Sequence, residues 1–271
     1  MPVTNRPTHR RTLQSAVGGA AVLLALSACS SSDGSARASS PSSPGGVEGT
    51  VTVFAAASLK ESFTELGEQF EAAHPGTEVT FNFGGSDALA ASITSGAPAD
   101  VFAAASPTTM RIVTDAEDAA GEPATFVRNR LEIAVVPGNP RDVDTLKDLT
   151  KAGTKVALCA KEVPCGAAAQ KALDAAGLKL TPVSYEQDVK SALTKVELKE
   201  VDAALVYRTD VKAAAGKVEG VEFPESAGAV NDYPVVLLKD APNTVAARAF
   251  IALVRSEEGR RVLSGAGFLT P

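Results

Sequence analysis

Short apolar runs alternate with amphipathic stretches along most of this 271-residue chain, and that alternation constrains the fold more than any other feature. Residues 51–57 form an apolar run of the kind a buried parallel strand requires. Residues 59–73 follow with Phe63, Leu66 and Phe70 at helical spacing. Residues 78–83 alternate as a strand, and 87–95 place Leu89 and Ile93 on one helical face. Residues 100–105 read as a strand, and Pro107 sits where a proline favours the first helical turn. Three strand–helix units in succession predict a parallel sheet covered by helices. A second series begins at Leu131. It has strands at 131–137, 155–159 and 202–207, and helices at 166–176 and 188–200. A strand at 233–238 and helices at about 243–255 and 257–264 close the chain. The fold class expected is α/β in two lobes, with parallel-rich sheets flanked by helices. A ligand cleft would lie between the lobes, at the carboxyl ends of strands.

The first 28 residues read as a targeting segment rather than as part of the fold. Arg6, Arg10 and Arg11 precede an apolar run, 16–26, too short to span a membrane comfortably. Leu26-Ser27-Ala28-Cys29 then resembles the cleavage signal of bacterial lipoproteins, which would make Cys29 the lipidated N-terminus. An ordinary signal peptide cut near Ala28 and a short membrane anchor are the alternatives. Residues 30–49 are rich in Ser, Gly and Pro and lack hydrophobic period, so 29–49 reads as lipidated Cys and flexible tether. Export anchored to the outer face of the cytoplasmic membrane is the expected location.

Composition removes several functional classes. Net charge is −6, and loss of three Arg and no acid with the signal takes it to −9, which does not suit a nucleic-acid-binding domain. Tryptophan is absent and aromatics make up 5%, which disfavours a stacking platform for bases or sugars. Beyond Cys29 the cysteines are Cys159 and Cys165, spaced as a strand end and the loop after it. Outside the cytoplasm such a pair is a disulfide candidate, and two free thiols are the alternative. The histidines are His9, within the signal, and His74, beside Pro75. A zinc site or a Ser-His-Asp hydrolase triad is therefore hard to assemble, and no metal-ligand set is expected.

Four junctions could carry chemistry. Ser58, Ser86, Cys165 and Val189 each fall at the start of a helix, where backbone N–H groups lack partners. Gly84 and Gly85 precede Ser86 and would let backbone approach a ligand. Each terminus carries roughly half a positive charge, so four aimed at one point would offer about +2 without any Lys or Arg. The plainer reading makes Ser58 and Ser86 ordinary N-caps and Tyr207 a core residue at a strand end.

Together these segments resemble the periplasmic molybdate-binding proteins of ABC transporters. The resemblance rests on residues 53–59, the Gly96-Ala-Pro-Ala-Asp100 stretch, Val163-Pro164-Cys165-Gly166, Asp188-Val189, Leu205-Val-Tyr207 and Tyr233-Pro-Val235. It runs from about Gly49 to Pro271. It implies the type II periplasmic-binding-protein fold, with lobes of 50–130 plus 231–271 and of 131–230, hinged near Leu131 and 222–233. It also implies that Ser58 and Ser86 give hydroxyl and backbone N–H, Cys165 and Val189 give backbone N–H, and Tyr207 gives its hydroxyl. The ligand would be molybdate or tungstate, alike in charge, shape and nearly in size. No cofactor, enzymatic activity or nucleic acid is implied. The partners would be an ABC permease with its ATPase, served by a monomeric receptor.

Two departures bear on the ligand. Relatives commonly carry Ala at the position of Cys165, where backbone alone is needed. Asp87 brings a carboxylate close to the site. Facing outward it is harmless; facing inward it would repel a dianion yet could accept a proton from hydrogen phosphate. A sulfate or phosphate receptor is thus the nearest rival, and an exported Ser hydrolase a more distant one.

Overall fold

The computed structural model describes residues 46–271. The expected signal, Cys29 and most of the expected tether lie outside them. The described chain carries ten strands and eight α-helices, in two mixed sheets.

The first sheet has the order β2-β1-β3-β10-β4. β1 (Gly49–Ala56) is an interior strand and nearly wholly buried beyond its first two residues, which is why it is mostly apolar. It pairs in parallel with β2 (Thr77–Gly84) and β3 (Val101–Ala103). β10 (Asn231–Leu237) runs antiparallel to β3 and to β4 (Ala124–Asn129). Helix α1 (Lys60–Ala73) buries Phe63, Leu66 and Phe70 against this sheet. Helices α2 (Ser86–Thr94) and α3 (Pro107–Asp115) pack with Phe54 and Phe102 on the sheet's other side chains, in a separate cluster.

The second sheet has the order β7-β6-β8-β5-β9. β6 (Val156–Cys159) is parallel to β7 (Ser184–Glu186) and β8 (Ala203–Tyr207), while β5 (Leu131–Val135) is antiparallel to β8 and to β9 (Glu219–Val221). Helices α4 (Pro164–Ala175), α5 (Val189–Glu197) and α6 (Arg208–Ala213) accompany it. The chain then returns to the first sheet and ends in α7 (Thr244–Arg255) and α8 (Glu257–Ala266).

The expected two-lobed α/β class holds, and so does the parallel pairing of the strand–helix units. Half of the pairings in each sheet are antiparallel, because β10 and β5 enter each sheet directly after a crossing. Three strands unannounced in the sequence, β4, β7 and β9, are all sheet edges, where partial exposure weakens the apolar pattern. Asp100 has a structural role. Its buried carboxylate accepts from the backbone N–H of Thr52 at 2.7 Å and of Asn243 at 2.6 Å, tying β1 to the start of α7.

Candidate oxyanion site

The carboxyl ends of β1, β2, β6, β7 and β8 feed the helix starts that meet between the lobes. Ser58 lies in a 3-10 turn, Ala57–Leu59, that leads into α1, and it is 4% exposed. Its Oγ is 2.8 Å from the Tyr233 hydroxyl. Ser86 opens α2 and is 1% exposed, and its Oγ accepts from the Ala105 N–H at 3.0 Å. Pro164 and Cys165 form the first turn of α4, where proline loses no helical hydrogen bond. Val189 opens α5, capped by Asp188. Tyr207 ends β8, fully enclosed, and its hydroxyl accepts from Asn231 Nδ2 at 2.7 Å.

Ser58, Ser86, Cys165, Val189 and Tyr207 all line one cavity. Its free volume is ≈ 10 Å³, so the two lobes' helix starts stand close together around it. No Lys or Arg is among the lining residues. Asp188 does line the cavity, but its carboxylate is engaged by the Ser191 N–H at 2.9 Å and the Ser191 hydroxyl at 2.8 Å. Asp87 is not among the lining residues. Its Oδ1 lies instead beside Gly85, buried and without a hydrogen-bond partner.

Burial, with the neighbouring Tyr233 hydroxyl, pushes the Tyr207 phenol well above its usual range, so it stays protonated. Burial acts the same way on Tyr233. The donors the cavity offers are therefore neutral hydroxyls and backbone N–H groups. A cavity of this kind suits a compact anion without protons to share, because charge-assisted hydrogen bonds from several donors offset its desolvation.

Three features stiffen or close the site. Cys159, at the end of β6, is joined by a disulfide to Cys165 in the first turn of α4, which ties the loop carrying one backbone donor. Gly85 meets the second lobe backbone to backbone, since a Cβ there would sit 2.4 Å from the Gln187 carbonyl oxygen. Beside Val189, Lys190 Nζ lies 2.9 Å from Glu61 of α1 and 3.0 Å from Asp210 of α6, so one ammonium bridges the lobes. Desolvation pulls the Lys190 pKa down, but Asp210 and Glu61 outweigh it and the net direction is up. Burial dominates at Asp210 and pushes its carboxyl up to about 6 against the pull of Lys190.

The sequence singled out neither this ion bridge nor Asn231. Their partners are far apart in the chain, and no local spacing marks them. Tyr233 entered the sequence reading through a strand and a motif of the resemblance, without a role in the site.

A family model described as bacterial extracellular solute-binding protein matches residues 51–269. The molybdate-binding protein ModA of Mycobacterium tuberculosis H37Rv is 42% identical over 259 residues, covering 96% of this chain and 98% of that protein. The ModA protein of Escherichia coli K12 is 30% identical over 234 residues, covering 82% of this chain and 89% of that one. Among solved structures, the periplasmic molybdate-binding protein of Azotobacter vinelandii superposes with a TM-score of 0.72 at 22% identity, covering 82% of this chain and 99% of that chain. That likeness speaks to the fold, and the family match and the identities speak to descent. The chain belongs to the bacterial extracellular solute-binding proteins.

Proposed function

We propose that this protein captures molybdate or tungstate outside the cytoplasm and delivers it to an ABC permease driven by its ATPase. The observation that carries the reading is the convergence of five neutral donors, from both lobes, on one cavity without a cation. The relatives named molybdate-binding proteins support the choice of ligand. Ser58 and Ser86 would give hydroxyl and N–H, Cys165 and Val189 N–H, and Tyr207 its hydroxyl. Four helix starts would add roughly half a positive charge each, about +2 against a dianion. Asp87 is not among the lining residues, which favours an anion without protons over hydrogen phosphate.

In this reading residues 50–130 with 231–271 move as one lobe and 131–230 as the other, hinged near Leu131 and 222–233. Closure on the anion would present the face the permease reads. Residues 1–28 would be the signal, Cys29 the lipid anchor and 29–49 the tether of a monomeric receptor. Calorimetric titration of the purified protein with molybdate tests the site. Ser58→Ala and Tyr207→Phe should each weaken binding by about tenfold or more, the loss of one hydrogen bond to a charged group. Unchanged affinity in both would refute the donor assignment.

A further inference from the structure

A hydroxyl can donate or accept, and its neighbours decide which. At Tyr207 one neighbour, Asn231, fixes the oxygen as an acceptor. Asn231 Nδ2 lies 3.2 Å from the Pro164 carbonyl oxygen and 2.7 Å from the Tyr207 hydroxyl. A carbonyl only accepts, so the amide must turn its NH2 toward Pro164. The same NH2 then donates to Tyr207. The phenol oxygen is thereby an acceptor from Asn231, and its own proton is left for the Tyr233 hydroxyl beside it or for an anion in the cavity, the stronger acceptor of the two. Burial holds that proton on the oxygen. Tyr207 lines the cavity and Asn231 does not.

Ser86 follows the same logic. The Ala105 N–H can only donate, so Ser86 Oγ accepts it and keeps a proton for another partner. In each case a protein donor occupies the oxygen's lone pair and sends the proton outward. Asn231 stands apart because it belongs to β10 of the first sheet while both its partners belong to the second lobe.

We propose that Asn231 is a positioning residue: it holds the Tyr207 hydroxyl proton toward the cavity as an anion donor, and it ties β10 to the first turn of α4. The proposal rests on the oxyanion reading above. An alanine at 231 frees the phenol to rotate. An aspartate reverses the bond, because a carboxylate only accepts and draws the Tyr207 proton away from the ligand.

The chain has 3 Tyr and no Trp, so tyrosine absorption is readable without interference. Molybdate is titrated into the wild type, Asn231→Ala, Asn231→Asp, Tyr207→Phe and the Asn231→Ala/Tyr207→Phe double variant, by calorimetry and by ultraviolet difference spectroscopy. The wild type should show a ligand-induced red shift of tyrosine absorption, from a phenol donating to an anion. That shift should vanish in Tyr207→Phe and shrink in both Asn231 variants. Asn231→Ala should bind about tenfold more weakly, and the double variant no more weakly than Tyr207→Phe alone. Melting without ligand checks that each variant folds, and Asn231→Ser replaces Asn231→Ala in the cycle should the latter unfold. Additive losses, or a full red shift in Asn231→Ala and Asn231→Asp, would overturn the proposal. A wild type that takes up no molybdate would instead overturn the oxyanion reading.

Discussion

All the phenylalanines except Phe223 lie in the first lobe's elements or the tail after α8, while the second lobe is packed almost wholly with Val, Leu, Ile and Ala. Phe63 alone stands within 6.3 Å, centroid to centroid, of Phe81, Phe126 and Phe250. The second lobe has nothing comparable, yet its sheet repeats the first one's plan: three parallel strands, then an antiparallel strand, then an antiparallel edge. The topology therefore does not depend on what fills it. It follows from the alternation of strand and helix, and the core chemistry is free to differ. What the second lobe lacks in aromatic packing it partly recovers in a covalent tie, placed at the loop that offers a backbone donor. The first lobe offers hydroxyls held by a rigid aromatic core. The second offers mainly backbone N–H groups held by a disulfide and by helix caps.

Three experiments break or sharpen that contrast. The largest effect is expected at the aromatic net. Phe63→Ala should lower unfolding free energy in urea by about 3–5 kcal/mol, because the ring is wholly buried and in contact with Phe81, Phe126 and Phe250. A loss under about 1 kcal/mol would mean the first lobe's core is no stiffer than the second's.

Next comes the ion bridge. Asp210 has a pKa raised from 3.8 to about 6, chiefly by burial. The folded state therefore holds this proton more tightly than the unfolded chain. The associated stability is fully present below the unfolded value and is lost as pH rises through about 6. The full swing corresponds to about 3 kcal/mol for a two-unit shift. Urea unfolding from pH 4 to 7, compared between wild type and Asp210→Asn, should show that portion of the profile disappear in the variant. Parallel profiles would show that Asp210 does not titrate in this range.

The smallest effect is the disulfide's. It closes a short loop, so reduction should cost about 2 kcal/mol on the loop-entropy estimate. Reduction should also weaken molybdate binding, because the tied loop carries Cys165. Reduction that leaves both stability and affinity unchanged would remove the covalent tie from the contrast.

Much of this was legible in the residue pattern, for a physical reason. β1, β5, β6 and β8 are buried along most or all of their length, so each must be an apolar run, and each was visible as one. β7 and β9 are three-residue edges with polar, half-exposed side chains and carry no such signature. Helix α6, at six residues, is shorter than two turns and gave no period to read. In the site, the residues at helix starts were legible because capping chemistry is local. Asn231 was not: its link to Tyr207 spans 24 positions. The Lys190–Glu61 pair spans 129 and was equally hidden. Contacts across the cleft arise only from folding, and sequence spacing does not encode them.

The central claim is that the cavity offers neutral donors, and no cation, to a tetrahedral dianion without protons. Its most direct test is thermal unfolding of the purified protein with millimolar molybdate, tungstate, sulfate and phosphate in parallel. A ligand at about 100 times its dissociation constant adds about 2.7 kcal/mol, a readily measured rise in Tm. The account predicts that rise with molybdate and tungstate and not with sulfate or phosphate. A rise with phosphate alone would contradict it.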